Sequence, residues 1–328
     1  MIVILEDPVF ASSSTSQLLT AIRFGVEGWH LIQTDPMFDP AADRAVNRWL
    51  AAQDQSTREE VELAFAIGVE EEALGSPSAT YLQIGEVPQA DWSSVPLRLS
   101  MELALRLLRK PLRLLVENRQ NDGAFLRRVV PEPWRRKLLQ SIANGWVEIG
   151  HGGGSDMRSQ ISASTYEATL RLWALFDSDA REPGRPSPAS EELRKTCLEK
   201  RVPHHRLKRR AIENYLPVKA LEAWTYLGKG NLRTMRRRAV AAFAGMSEAH
   251  RHHYNMKGGF ESDRRDPSTG GSEFYGELAH HRDLQGGFGH EIAALFQRQD
   301  FQIREEWLAN DGQQQETLEI VQAIFRHL

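Results

Sequence analysis

LRLLVE at 112–117, WVEI at 146–149 and LWALFDSD at 172–179 are three short apolar runs, each stopped by polar residues or glycine. Their length and their Leu, Val, Ile and aromatic content predict strands rather than helices. Helical patterns lie between them: GAFLRRVV at 123–130, then 131–144, then 155–170 with Ser155 as the expected N-cap. A fourth strand is expected at 205–207, and Pro217 opens a further helix. Strands alternating with helices every 25 to 35 residues predict a mostly parallel α/β sheet flanked by helices. In such sheets ligands collect at the carboxyl ends of the strands. The distinctive residues fall at those ends: Glu117 closes the first strand, Gly150-His151-Gly152-Gly153-Gly154 follows the second, and Asp177 and Asp179 close the third. Glu213, in IENYL at 212–216, lies just beyond the fourth.

Outward from this core the pattern is less regular. Upstream, 40–52 and 57–69 show helical spacing, 81–87 (YLQIGEV) alternates like a strand, and 95–110 (VPLRLSMELALRLLRK) reads as one helix ended by Pro111. The first 108 residues are therefore expected to form a mixed, mainly helical accessory domain without a chemical motif. Downstream, 231–243 is a basic helix, 257–289 is rich in Gly, Ser and charge and is expected to form loops, and 303–328 is helical. Three regions result: 1–108, a catalytic core at 109–260, and a C-terminal loop and helical extension at 261–328.

The chain of 328 residues is 41% hydrophobic, enough to bury a sizeable core, and its formal net charge is only −3. The charge is unevenly spread. Residues 1–100 hold 5 Lys and Arg against 15 Asp and Glu, whereas the remainder holds 36 against 29. A basic second part makes a nucleic-acid partner worth testing. Its basic segments are 193–210 (LRKTCLEKRVPHHRLKRR), 233–238 (RTMRRR), and Arg127, Arg128, Arg135, Arg136 and Lys137. An acidic protein partner, including the first hundred residues in cis or in a second subunit, is the competing reading. The single cysteine, Cys197, excludes a disulfide framework and a multi-thiolate zinc site and fits a reducing, cytoplasmic setting. No apolar run suggests a membrane span, the start MIVILEDPVF does not read as a signal peptide, and no phosphate-binding P-loop motif occurs. Paired histidines at 204–205, 252–253 and 280–281 lack zinc-ligand spacing.

Asp177 and Asp179 are two residues apart, which on an extended segment puts both carboxylates on one face. Two carboxylates held together repel unless a cation lies between them, and Mg²⁺ or Mn²⁺ is the natural one. Glu117 from the neighbouring strand would complete a hard-oxygen site able to activate water beside a phosphate. Against this, Asp-x-Asp after a strand is common in loops.

The order strand–Glu117, strand–glycine turn, strand–Asp177-x-Asp179 resembles the Toprim fold, the catalytic module of topoisomerases, primases and the overcoming-lysogenization-defect (OLD) nucleases. The resemblance covers about residues 110–220 and rests on LRLLVENRQNDGAFL, VEIGHGGGSDM, LWALFDSDA and IENYL. It implies a Toprim-like, Rossmann-like domain with a Mg²⁺- or Mn²⁺-dependent endonuclease activity. The implied metal-site residues are Glu117, Asp177 and Asp179, with Glu213 and Asp122 assisting. Lys257, in YNMKGGF, is the matching candidate for a lysine that stabilises the charged transition state. The sequence departs from the family pattern where Asn118 replaces a usual glycine, and where Asp122 lies five positions beyond the glutamate instead of four. Capping of the following helix is an equally natural role for Asp122. Relatives of this kind are often effectors of bacterial antiphage systems, acting on DNA or RNA, here DNA ahead of RNA, in homo-oligomers or with a separately encoded ATPase. The alternative is a catalytically degenerate Toprim subunit that senses nucleic acid or regulates a complex.

Overall fold

The computed structural model describes the whole chain except residues 74–79, 93, 155 and 266–271. The expected N-cap at Ser155 lies outside the described residues. Two four-stranded parallel sheets, flanked by helices, make up the molecule. The first holds β1 (Ile2–Glu6), β2 (Leu31–Asp35), β3 (Tyr81–Ile84) and β4 (Leu97–Leu99) in the order β2-β1-β3-β4. The second holds β5 (Leu112–Val116), β6 (Val147–His151), β7 (Leu172–Phe176) and β8 (His204–Arg206) in the order β6-β5-β7-β8. The two orders are the same. In each sheet the first strand is internal, the second adds on one edge, and the third and fourth add on the other.

The second sheet follows the sequence expectation strand by strand, and its burial explains why it was readable. Leu112, Leu114 and Val116 of β5, with Trp173 and Leu175 of β7, face one hydrophobic core alongside Phe125, Val129 and Tyr215. Leu115, Leu172, Ala174 and Phe176 face the other way, against Met157, Ile161, Leu193, Cys197 and Val202. A parallel strand covered on both faces has no polar face to show, so it appears in sequence as an unbroken apolar run.

The first hundred residues differ from expectation. The expected helices are present as Ala45–Ala51 and Gln55–Ala73, Thr15–Val26 adds one that was not foreseen, and they surround a sheet of which only β3 was foreseen. The helix expected across 95–110 is two elements. Leu97, Arg98 and Leu99 alternate buried, exposed, buried in β4 and pair with β3, and the helix begins only at Met101 after Ser100. Pairing with β3 explains the division, since it holds Leu97–Leu99 extended, while Pro96 restricts only Val95 before it. The 155–170 helix is likewise interrupted. Asp156–Ala163 is followed by Tyr166–Thr169, whose Thr165 side chain accepts from the Ala168 N–H.

The expected loop region 257–289 also contributes to the core. Phe260, Tyr275, Leu284 and Phe288 are buried there beside Tyr254, on short helices such as Gly259–Arg265. Ile320, Val321 and Ile324 of the last helix, Gln314–His327, join the same cluster, which therefore continues without a break past residue 260. The two units meet at Trp29, which packs against both cores and stacks on Trp146 with ring centroids 6.2 Å apart. No helix among the described residues is long and apolar enough to cross a membrane.

Candidate active site at the carboxyl ends of the second sheet

Glu117, Asp177 and Asp179 leave adjacent strands β5 and β7 at the same edge. Glu117 Oε1 accepts a hydrogen bond from the Asp177 backbone N–H at 2.9 Å, which ties the two strand ends together. Asp177 Oδ1 in turn accepts from the Ile212 N–H at 3.2 Å, the first residue of the 3₁₀ turn Ile212–Tyr215 that carries Glu213. The glycine run after β6 folds back on the same end: Gly152 N–H donates to Val116 O at 2.6 Å, and Gly153 N–H to Glu117 O at 3.1 Å. A Cβ on Gly152 would stand 2.9 Å from that Val116 oxygen, so glycine is required for the approach. The chain does not stay extended through Asp177-Ser178-Asp179. Asp179 has φ +50°, a left-handed turn, and its N–H donates to Arg210 O at 2.8 Å. The two aspartates therefore do not share the face of a strand: Asp177 is turned inward and Asp179 outward.

Asp122 lies in the first turn of helix Asn121–Val129 and accepts from the Asn118 N–H at 2.8 Å. It does not cap the helix: the N–H groups of Gln120 and Asn121 donate to Asn118 Oδ1, and Asp122 holds the Asn118 backbone while sitting among the other acids. Glu213 is 1% exposed and does not pair with Arg209 or Arg210. Arg209 binds Asp311, and Arg210 is held by both oxygens of Asp263 at 2.7 Å each. Glu213 Oε1 instead stands 2.9 Å from Lys257 Nζ, an ion pair whose angle falls short of a hydrogen bond.

Lys257 is not a loosely solvated lysine. The following Gly259 has φ +63°, and a Cβ there would meet backbone atoms of Gln285 and Gly287 at 2.3 and 2.4 Å. Gly287, also left-handed at +63°, returns the contact against the Lys257 carbonyl. Gly259 and Gly287, locked backbone to backbone, thus deliver the lysine to Glu213. Asn255 supports the same loop, accepting from the Gly258 N–H and donating to Asp263. Arg210, Asn255 and Asp263 were not singled out in sequence. They lie in long stretches of charge with no motif, and only the fold brings them together.

The acids crowd one another. Burial holds the Asp177 carboxyl well above its ordinary range, and Glu117, Glu213, Asp122 and Asp179 add repulsion. Burial, with repulsion from Glu117 and Glu213, raises Asp122 to about 7 against the pull of the Asn118 N–H and Lys257. Glu117 is raised by burial, with partial relief from the Asp177 N–H. Asp179 is open to solvent on one side, yet the protein packed on its other side raises it, against the pull of Arg210 and Lys257. Burial alone would lower Lys257, but Glu213 and Asp177 outweigh it and its affinity for a proton rises. Of the five carboxylates only Glu213 touches the lysine, the others feeling its charge at longer range, with Arg210 near Asp179. A hard divalent cation suits that donor set and charge deficit. As placed, however, no group of three or more His, Cys, Asp or Glu among the described residues forms a metal cage. Beside the carboxylates opens a cleft of about 500 Å³, lined by Asp179, Arg210, Glu213, Lys257, Arg265 and His290, among others.

The first sheet shows the same strand ends closed. Glu6, the last residue of β1, receives two hydrogen bonds from Arg98 at 2.8 Å each, and Asp7 accepts from the Ala45 and Val46 N–H groups. There each acid is answered by an arginine or a helix start.

Much of the expected basic surface is spent on structure. Arg194 and Arg206 pair with Glu191, Lys208 with Glu319, Arg135 with Glu132 and Glu305, and Arg128 donates to carbonyls of Phe296 and Arg298. The paired histidines are also engaged locally: His205 with Glu316, His253 with the Ala180 carbonyl.

Comparison of the chain with protein-family models, curated proteins and solved structures finds no match in any of the three.

Proposed function

We propose that this protein is a Toprim-like, Mg²⁺- or Mn²⁺-dependent nuclease that hydrolyses phosphodiester bonds at the carboxyl ends of the second sheet. The observation that carries the reading is the cluster of Glu117, Asp122, Asp177, Asp179 and Glu213, mutually repelling and short of positive charge, beside a cation-lined cleft. Glu117, Asp177, Asp179 and Glu213 would hold the ion, which when bound polarises a phosphate and makes a water acidic enough to attack it. Lys257, fixed by its glycine lock, presents an ammonium where charge develops on the phosphate, and being in place beforehand it costs no reorganisation. Arg265, exposed and paired with the exposed Glu261, would offer charge to a flanking phosphate, while Arg210 stays clamped on Asp263. The resemblance adds an effector role in antiphage defence alongside an ATPase, with DNA ahead of RNA as substrate.

The test is nicking of supercoiled plasmid and cleavage of structured RNA in the presence of Mg²⁺ or Mn²⁺. Asp177→Asn and Glu117→Gln should each lower the rate by at least about 100-fold, as loss of a ligand or its direct support does. Equal activity in wild type and both variants would remove the assignment.

A second reading, a degenerate Toprim subunit that binds without cutting, is favoured by the absence of a metal cage among the described residues and by the engagement of Asp122 with the Asn118 N–H. Nucleic-acid binding without cleavage under every divalent ion would support it.

A further inference from the structure

Two exposed helix faces match each other in charge and apolar pattern. Helix Gly230–Ala244 carries a stripe made of Leu232, Met235, Ala239, Val240 and Phe243 at helical spacing. Only its C-terminal half is covered. Val240 and Phe243 are buried, whereas Leu232 is 49% and Met235 67% exposed. Tyr226 and Leu227 widen the bare patch. Arg233 stacks over Tyr226 and Arg236 over Trp224, at 4.4 and 4.1 Å. Arg237 is exposed beside them, and the helix contains no acid. An apolar stripe running past the end of its own covering is surface that association would remove from water.

Helix Gln55–Ala73 has the complementary face. It packs inward through Val61, Ala64, Phe65 and Gly68. Its outer stripe is Glu59, Glu62, Leu63, Ala66, Val69 and Glu70, with Leu63 and Val69 exposed. The helix holds six glutamates and one arginine. At 15 and 19 residues the two helices span about 22 and 28 Å, a usable match in length.

We propose that copies of this chain associate by docking the acidic helix Gln55–Ala73 of one onto the arginine helix Gly230–Ala244 of another. A nucleic acid would use the arginines but gain nothing from Leu232 and Met235, while an acidic helix with its own exposed leucine and valine satisfies both. The proposal stands apart from the nuclease reading, since neither helix lines the acidic site.

Sedimentation or light scattering of the full chain tests it. The wild type should be a dimer or larger species that dissociates with added salt. Arg233→Glu/Arg237→Glu and Glu62→Lys/Glu70→Lys should each be monomeric, with circular dichroism showing an intact fold. Mixed together they should re-associate in equal proportion, because every contact then joins opposite charges. Leu232→Ser/Met235→Ser, which changes no charge, should also be monomeric. A wild type monomeric at every concentration, association unaltered by the substitutions, or failure of the mixture to re-associate would each overturn the proposal. So would an arginine variant that loses nucleic-acid binding while still self-associating.

Discussion

At the scale of single residues the acidic cluster makes its own prediction in pH. The ordinary pKa of an aspartate is near 4, and Asp122 in the folded protein sits at about 7. Between those values the unfolded chain has lost the proton and the folded chain keeps it, so stability falls as pH rises. The penalty is fully present above pH 7 and absent below about 4, each tenfold change in proton affinity being worth about 1.4 kcal/mol. Asp122→Asn keeps an oxygen for the Asn118 N–H and removes the charge. In metal-free buffer it should melt higher than wild type at pH 8 and equally near pH 4. Thermal melts across that range check it, and an unchanged difference with pH would mean that Asp122 is not the strained acid. Wild-type protein at pH 8 should gain stability from Mn²⁺ through mass action on the folded state.

Among the elements, the glycine lock behind Lys257 is the most exposed to disruption. Gly259→Ala puts a side chain on left-handed backbone, costing about 1–2 kcal/mol before any clash. The clash is with backbone atoms of residues 285 and 287, which have no flexible end to move. The variant should be destabilised by at least that amount and lose cleavage activity, whereas Gly286→Ala, where an added Cβ meets no protein atom, should leave stability little changed. Denaturant titration and the nicking assay read the pair. Elements also show what the sequence made legible. Strands β5, β6 and β7 were readable because burial makes them short, mostly apolar runs between helices, and the acids at their ends stood out for that reason, whereas β8, HHR, is polar and only partly buried. β1, β2 and β4 were missed. The run IVILE of β1 opens the chain with no helix before it, β2 lies between helices but is a partly polar LIQTD, and β4 is three residues long and abuts a true helix. Lys257 was singled out through the resemblance, but the ion pair with Glu213 and the Arg210–Asp263 clamp depend on contacts between segments 44 and 53 residues apart.

On the scale of the whole molecule, two parallel sheets of the same strand order are joined where Trp29 bridges their cores. One unit has its strand-end acids neutralised by Arg98 and a helix start, and the other leaves them in excess. Trp29→Ala should cost on the order of 2–3 kcal/mol, less than a fully buried tryptophan. By loosening the contact between units it should split a single unfolding transition into two, visible by calorimetry. The difference between the units bears directly on function, because an unneutralised carboxylate cluster is a demand for a cation. The most direct measurement is a calorimetric titration of the full chain with Mn²⁺ near pH 7.5, on wild type, Asp177→Asn and Glu117→Gln. Saturable binding in the wild type that is lost or greatly weakened in both variants is the predicted result. No binding by the wild type, or equal binding by all three, would contradict the metal site.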